Sequence, residues 1–451
     1  MLRAPLVARL LIVAPLLLPL RASARDGAEP SATEGRPSLT TPGGEPASSG
    51  LVGPLEGSGG PGGAMPSRAV DAATARWRQG GLAVPIGETL AVNLVTMGWN
   101  RYVGDARWAN VSADSIGRNL RSSWVFDDNA FWVNQAGHAY QGTWAFNAAR
   151  SSGLGFWASA PFAFGASALW EIAGETERPA LNDQVTTTVA GMVIGEVFHR
   201  FSGALRAEGG GWRLALASVL SPMDALNQRG FGTDGAFAAP PSRWQLSLGS
   251  VAVEGMGPAR GPWTPLSYMA FSFTYGLPGT PGLALERPFD HFVVEGGYGL
   301  AKDPVATARV RGLVAGGTFE AGDVGGLYGI YLSYEVDTPP RHQISTSAIG
   351  VGGSARWEVG SGLAVEGDAI ASGVLLGTGS RVDRGPEAGD RDYRFGPGQQ
   401  AYAGLRLLAG NRAGVGFALR QYWLVGAGPD AGSTELLLDG SATGVVRVAG
   451  P

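Results

Sequence analysis

The second half of the chain alternates apolar residues with small or polar ones at a period of two. Between 328 and 336 the apolar positions are Tyr328, Ile330, Leu332, Tyr334 and Val336, and the residues between them include Gly329, Ser333 and Glu335. Successive side chains of a strand point to opposite faces, so this pattern predicts a strand with one apolar face. Ten segments follow it: 243–253, 267–276, 289–300, 306–319, 326–337, 343–357, 362–375, 399–408, 412–425 and 433–448.

The predicted strands have 10 to 16 residues, whereas strands of soluble proteins commonly have about five or six. About ten tilted residues suffice to cross a bilayer in a barrel, where a closed sheet pairs every backbone group. We therefore predict an α+β protein, with an N-terminal helical block followed by an antiparallel β-barrel of about 10–12 strands of the outer-membrane type over 243–449. The alternative is a soluble β-sandwich or lipid-binding barrel, whose strands alternate equally well.

The N-terminus has the pattern of a secretory signal peptide. Arg3 and Arg9 precede an apolar run at 10–20, and the small residues Ala22-Ser23-Ala24 follow it. This order of charge, apolar run and small residues predicts a cleaved signal peptide over 1–24. Residues 25–68 are rich in Gly, Pro and Ser, which predicts a disordered linker because such a segment buries too little apolar surface to offset its ordering.

Charge and composition exclude several classes of function. The 34 basic and 38 acidic residues give a net charge of −4, so we expect no nucleic-acid partner. The chain has no cysteine, which excludes disulfides and thiolate metal sites. No phosphate-binding loop, GxSxG elbow or HExxH motif is present in the sequence. We expect no cofactor and no bound metal.

Residues 69–230 are predicted to form a mainly helical domain. At 139–150 the residues Tyr140, Trp144 and Asn147 are spaced to lie on one helix face, which predicts contact with a partner element. A comparable stripe follows at 154–168 and includes Trp157 and Phe164. A further helix is predicted over 182–202, with Asn182 or Asp183 as its N-cap.

Candidate functional residues are confined to this helical domain. Glu171 and Glu175 are spaced i, i+4, and Glu196 and His199 are spaced i, i+3, so each pair is predicted to project from one helix face. Together they resemble half of a di-iron carboxylate site, but the four histidines of the chain supply no second Glu-x-x-His motif. We expect instead a buried polar network, in which Asn182, Asp183 and Arg200 take part. The catalytic candidates are His138, Glu171, Glu175, Asp183, Glu196 and His199.

The segment from Trp132 to Ser202 carries a distinctive set of residues, namely Asn134, His138, Tyr140, Gly142, Asn147 to Ser151, Gly153, Ser167, Leu169 to Glu171, Glu175, Pro179, Asn182, Asp183, Thr187, Gly191, Gly195, Glu196 and Arg200. In these residues the segment resembles a bacterial family known as the domain of unknown function 3943. The family usually has His-Pro where this chain has His138-Ala139. The resemblance implies an exported envelope protein of Gram-negative type with no assigned activity, and it implies no catalytic residue.

The location expected from these patterns is the outer membrane, with the periplasm as the alternative. We expect a structural, transport or binding role, in which the helical domain either plugs the barrel lumen or supports the barrel from beneath. The alternative function is an envelope-lipid-modifying enzyme that uses His138 or His199 with a nearby carboxylate as an acid–base pair. The expected partners are membrane lipid and the barrel assembly machinery.

Overall fold

The computed structural model describes residues 81–449, with gaps at 128, 233–238, 257–263, 301–304, 339–341, 361, 382–392, 410–412 and 429–430. The predicted signal peptide and linker lie outside the described residues. The helices within this range are α1 (Ala83–Tyr102), α2 (Ala113–Asn119), α3 (His138–Ser151), α4 (Phe156–Ala173), α5 (Leu181–Glu208), α6 (Gly211–Leu220) and α7 (Pro222–Phe231). A 3-10 turn at Arg107–Ala109 and a π-helical turn at Val133–Gly137 lie between them.

Helices α3 and α5 form the centre of the helical domain and touch backbone to backbone. A Cβ built on Gly142 would lie 1.9 Å from the carbonyl oxygen of Thr187, and one built on Gly191 would lie 2.6 Å from the carbonyl carbon of Gly142. Only glycine permits this approach at either position. The close crossing brings the first turns of both helices, and the polar side chains on them, next to α4.

Helix α5 begins at Leu181, and its N-cap is Ala180, which makes no side-chain cap hydrogen bond. The prediction that Asn182 or Asp183 caps this helix is therefore wrong. Both residues lie in the first helical turn, and both are buried. The Asn182 amide donates hydrogen bonds to Asp127 (2.7 Å) and to Asp183 (2.9 Å), so both side chains take part in contacts with polar neighbours.

The second half of the chain forms a closed antiparallel barrel of ten strands in which each strand pairs with its sequence neighbours and β1 pairs with β10. The predicted fold class is confirmed. The strands are β1 (Ser242–Met256), β2 (Thr264–Tyr275), β3 (Phe292–Leu300), β4 (Val305–Ala321), β5 (Val324–Thr338), β6 (His342–Glu358), β7 (Leu363–Arg381), β8 (Tyr393–Ala409), β9 (Ala413–Val425) and β10 (Thr434–Ala449). Closure of the ring excludes the β-sandwich.

The two faces of the barrel wall differ in polarity. On β5, Glu335 and Asp337 face the lumen, where both lie within hydrogen-bonding distance of Tyr422 on the non-adjacent strand β9. On β9 the outward positions between the lumenal residues include Val415, Phe417 and Leu419, which are all exposed. The wall thus has its charged residues inside and apolar residues outside, the reverse of a soluble protein.

The helical domain packs against the outer wall of the barrel. Phe201 of α5 contacts Trp244, Phe273 and Phe292, whose ring centroids lie 6.4, 4.8 and 5.8 Å away. These three aromatic residues face outward on β1, β2 and β3. At the other end of the interface, Phe126 stacks on Phe395 of β8 at 5.2 Å.

Gln135 of the π-helical turn adds contacts between the helical domain and strands β5, β6 and β7. Its side-chain carbonyl accepts a hydrogen bond from Ser345 on β6 (2.7 Å), and its backbone carbonyl accepts one from Tyr334 on β5 (2.6 Å). Its side-chain amide donates to Thr378 on β7 at 3.4 Å. Because all of these contacts are with outward-facing residues, the expectation of a helical plug inside the lumen is wrong for the described part of the chain.

Helix α4 buries several polar residues and exposes part of its large apolar ones. Ser159, Ser167 and Glu171 are buried, whereas Trp157 and Phe164 are each 55% exposed. The stripe that contains Trp157 and Phe164 therefore faces away from the protein. The inward side of the helix carries the buried apolar residues Phe156 and Trp170 beside the polar ones.

Helix α1 also buries polar residues while it exposes large apolar ones. Asn93 donates a hydrogen bond to the backbone of Ala166 (3.2 Å) and accepts one from Gln141 (2.9 Å). The exposed positions of this helix carry large apolar side chains, namely Ile86, Leu90, Leu94, Val95, Trp99 and Tyr102.

No helix in the described range has both the length and the apolar character needed to cross a membrane.

Candidate functional site

An acidic cluster, which we define as Asp127, His138, Glu171, Glu175 and Asp183, lies where three helices of the domain meet. His138 begins α3, Glu171 lies near the end of α4, and Asp183 lies in the first turn of α5. His138, Glu171 and Asp183 each offer one potential metal-ligand atom, and these atoms lie within 4.8 Å of one another. His138 Nε2 lies 3.6 Å from Asp183 Oδ2.

The chain before α3 is held against the start of α5 by backbone pairing. Val125 donates to Pro179 (2.9 Å), and Leu181 donates to Val125 (2.7 Å), which forms a short parallel bridge. This bridge places Asp127 beside the first turn of α5. Asp127 is then fixed by two amides, because Asn134 and Asn182 both donate to its Oδ1 at 2.7 Å.

Glu171 is completely buried and only half paired. Its Oε2 accepts a hydrogen bond from the backbone N–H of Ala180 at 2.7 Å. Its Oε1 has no hydrogen-bond partner among the described residues. An unpaired carboxylate oxygen in the interior is costly, so this atom marks a position that a proton or a ligand would stabilise.

The electrostatics of the cluster favour added positive charge. Burial raises the pKa of Glu171 to about 7, with the Asp127 carboxylate adding to the effect. Burial and the charge of Glu171 raise the pKa of Glu175 to about 9. Burial, followed by the charges of Asp127 and Glu171, also raises the pKa of Asp183 well above its usual value. Burial lowers the pKa of His138 and favours its neutral form.

Glu196 belongs to a separate ion-pair cluster. It accepts hydrogen bonds from Arg150 (2.7 and 3.0 Å) and from Arg200 (2.9 Å). Burial alone would raise the pKa of Glu196, but the two guanidinium groups outweigh burial and lower it to about 2. Arg200 also pairs with Asp290 at 2.8 Å, in the segment that leads into β3. This cluster therefore ties the helical domain to the barrel.

His199 lies on α5 near Glu196 and contacts a carboxylate of α7. Its Nδ1 is 3.1 Å from Oδ1 of Asp224 on α7. Four of the six sequence-predicted candidates, His138, Glu171, Glu175 and Asp183, are thus brought together, whereas Glu196 and His199 are not part of that group. The catalytic role suggested for any of them stays a prediction.

Sequence reasoning missed two residues that organise the acidic cluster, Asp127 and Asn134. Both lie in the segment before α3, where no periodic pattern distinguishes them. Asp127 falls within the aromatic-rich stretch at 124–128, which is the one signal in the sequence that could have drawn attention to it.

Charged side chains also connect opposite walls inside the barrel. Glu366 on β7 accepts hydrogen bonds from Arg243 on β1 at 2.6 and 2.8 Å, and it pairs with Arg406 at 3.2 Å. Arg309 on β4 pairs with Asp337 on β5 at 2.7 Å and with Asp439 on β10 at 3.0 Å. These contacts cross the lumen at more than one level.

Glu295 and Tyr402 form another lumenal group. Glu295 pairs with Arg311 at 3.1 Å and with Arg420. The same two guanidinium groups lie over the ring of Tyr402, at 4.1 and 4.4 Å from its centroid. A ring placed against two cations and a shared carboxylate occupies the middle of the barrel.

Several solved barrels are similar to this chain at low sequence identity. The outer membrane protease OmpT from Escherichia coli is 9% identical, with a TM-score of 0.27, over 47% of this chain and 98% of that chain. Ail, the attachment invasion locus protein of Yersinia pestis, solved in complex with the heparin analogue sucrose octasulfate, is 10% identical, with a TM-score of 0.21, over 47% of this chain and 99% of that chain. Neisserial surface protein A is 11% identical, with a TM-score of 0.22, over 46% of this chain and 96% of that chain.

No curated protein matches this chain. The resemblance found in the sequence is confirmed by a family model that covers the acidic cluster and the Arg150–Glu196–Arg200 contacts but none of the barrel strands. Residues 123–223 of the chain match the domain of unknown function DUF3943.

Proposed function

We propose that this protein resides in the outer membrane, where a barrel without an open passive channel anchors and supports the helical domain in a structural or binding role. The observation that carries the proposal is the distribution of charge: charged groups face the lumen, and apolar groups face outward on both the barrel and the helices. In hydrocarbon this is the stable arrangement. Insertion by the barrel assembly machinery is part of the proposal.

The lumenal ion pairs support an anchor more than a channel. Arg243 and Glu366 connect β1 with β7, and Arg309 and Asp439 connect β4 with β10. Each pair joins strands that are not neighbours in the sheet, so the side chains meet inside the ring. A hydrated solute has to break these buried pairs to pass, and removing one partner of such a pair costs about 3–5 kcal/mol.

The outward faces of the helices support a membrane location more than a periplasmic one. Trp99 on α1 and Trp157 on α4 are both more than half exposed. A soluble domain rarely exposes apolar patches of this kind without a partner. In the outer membrane, lipid acyl chains would cover the exposed apolar residues of β9 and those of α1 and α4 alike.

Fractionation of inner and outer membranes tests the location. We expect the protein in the outer-membrane fraction, where it resists extraction by alkaline carbonate and dissolves only in detergent. A protein that remains soluble without detergent after removal of its leader would contradict the proposal.

Planar bilayer recordings test the absence of a passive channel. We expect the purified wild-type protein to give no steady conductance above that of the lipid alone. The double variant Arg243→Ser, Glu366→Ser, which removes a cross-lumen pair, is expected to show channel events. Steady ion conductance by the wild-type protein would exclude the anchor in favour of a transport role.

A further inference from the structure

The acidic cluster contains carboxylate ligand atoms that no arginine or lysine of the described residues neutralises. Among the described residues its carboxylates have one contact with a basic side chain, the 3.6 Å approach of Asp183 Oδ2 to His138 Nε2, and burial favours the neutral form of that histidine. Neither lysine nor arginine pairs with Asp127, Glu171, Glu175 or Asp183 in the part of the chain that the structure describes. By contrast, the equally buried Glu196 is held by two arginines. The domain therefore leaves one buried acidic group without protein counter-charge.

The unpaired Glu171 Oε1 is an independent sign of a ligand. The side chain is fully buried, and its other oxygen is fixed by the backbone of Ala180. Asn119 also fixes the end of α4, where it donates to the carbonyls of Glu171 (3.3 Å) and Glu175 (3.1 Å). Glu171 is thus held in place with one unpaired oxygen, and a carboxylate oxygen of this residue lies within 4.8 Å of ligand atoms of His138 and Asp183.

The carboxylate of Asp183 is oriented in the same way. Its Oδ1 accepts a hydrogen bond from Asn182 at 2.9 Å, so its Oδ2 is the oxygen that faces His138 Nε2. Asn182 also donates to Asp127, which is in turn held by Asn134. Hydrogen bonds of this kind from surrounding residues orient metal ligands in known sites.

The separation of two of the donor atoms fits a small transition-metal ion, and the third donor, from Glu171, lies within 4.8 Å of both. Nitrogen and oxygen ligands lie about 2.0–2.2 Å from zinc, so two ligands at a tetrahedral angle are about 3.4 Å apart. The 3.6 Å separation of His138 Nε2 and Asp183 Oδ2 is close to that distance. An imidazole nitrogen favours zinc, copper, iron or nickel over calcium or magnesium, which prefer oxygen ligands.

We propose that His138, Glu171 and Asp183 bind one divalent transition-metal ion through one imidazole nitrogen and two carboxylate oxygens. The ion supplies the missing positive charge and a partner for Glu171 Oε1. Asp127, Asn134 and Asn182 are positioning residues that orient the ligands. This proposal goes beyond the anchor role and does not depend on whether the barrel conducts ions.

Titration with Co²⁺ tests the proposal, because Co²⁺ takes zinc-type sites and absorbs visible light. The mature protein, purified in detergent without a histidine tag and stripped with EDTA, is expected to bind one Co²⁺ per chain, and an excess of Mg²⁺ does not displace it. His138→Gln and Asp183→Asn are expected to lower the affinity at least about tenfold. His199→Gln is the matched control, since His199 is a partly buried histidine that pairs with Asp224 in the same domain.

If the wild-type protein does not bind Co²⁺ stoichiometrically, the proposal is overturned. The cluster is then a group of buried, protonated carboxyl groups that binds no metal. Equal binding by the His138 variant, or loss of binding in His199→Gln, overturns it as well. If the ligand variants do not fold, X-ray absorption on the Co²⁺-loaded wild-type protein decides. One imidazole ligand together with oxygen ligands supports the site, and the absence of an imidazole ligand overturns it.

Discussion

Arg243 on β1 and Glu366 on β7 form a two-point ion pair across the barrel lumen, with N–O distances of 2.6 and 2.8 Å. Arg356 on the adjacent strand β6 also donates to Glu366, at 2.6 Å. One buried carboxylate thus compensates guanidinium groups from both sides of the ring. Its removal leaves those cations facing each other in a confined space.

Glu366→Ala is expected to lower the free energy of unfolding by about 3 kcal/mol or more, because buried guanidinium groups lose a shared counter-charge. Urea unfolding in detergent micelles, followed by heat-modifiable migration on gels, measures the change. Glu320→Gln is the control, since Glu320 lies at an exposed end of β4. Equal midpoints for Glu366→Ala and the wild type would show that the lumenal pairs do not stabilise the barrel.

Gln135→Ala is expected to loosen the helical domain from the barrel without opening the barrel itself. The change removes the side-chain hydrogen bonds to Ser345 and Thr378 and leaves two hydroxyl groups unpaired in a buried interface. Hydrogen exchange should rise in α3 and α5 and remain unchanged in β9, which serves as the internal control. Uniform exchange changes over the whole chain would contradict a local interface role.

Gly191→Ala is expected to destabilise the helical domain by about 2 kcal/mol, because the added methyl group has to displace the backbone of α3. Gly165→Ala on α4 is the matched change, since a Cβ at that position meets nothing within 4 Å. Alanine there should be neutral or stabilising by up to about 1 kcal/mol, as expected for an unhindered helix position. Thermal unfolding followed by circular dichroism compares the two. A similar loss of thermal stability in both variants would rule out the close crossing of α3 and α5.

Low pH is expected to lower the stability of the helical domain, because Glu196 becomes protonated. Its folded-state pKa of about 2 lies below the ordinary value of 4.5, so its contribution to stability is fully present above about pH 4.5 and is lost as the pH falls toward 2. Glu196→Gln should be less stable than the wild type at pH 7, and the difference should shrink between pH 4.5 and 2. Unfolding curves at several pH values measure this. A constant difference across that range would mean that Glu196 is not ionised in the folded protein.

Period-two patterning was sufficient to predict the strands, because a strand that faces a polar lumen on one side must alternate. It was not sufficient to identify what covers the apolar face. Tyr334 and Leu332 face outward toward the helical domain, whereas Tyr328 and Ile330 on the same strand are exposed. Helix and lipid impose the same requirement for apolar residues, so the sequence pattern does not distinguish them.

The candidate site was predicted only in part for a related reason. The prediction that Glu171 and Glu175 project from one face of a helix is wrong, because α4 ends at Ala173 and Glu175 lies beyond it. Helical spacing also carries no information on residues from separate helices. His138 and Asp183 meet because Gly142 and Gly191 allow α3 and α5 to touch. The separation of Glu196 from the acidic cluster likewise depends on Arg150, whose position is fixed by tertiary packing and by no local motif.

The pairs that cross the lumen constrain the order of assembly. Arg243 lies on β1, which completes the ring by pairing with β10, and Arg309 reaches Asp439 on β10 itself. In a sheet still open between its first and last strands, Arg243 is far from Glu366 and carries uncompensated charge, whereas Arg309 keeps only its contact with Asp337 on the neighbouring strand β5. An uncompensated charge is unfavourable in hydrocarbon. The β1–β10 pairing therefore has to close the barrel before the wall is transferred from water or from a chaperone into the bilayer.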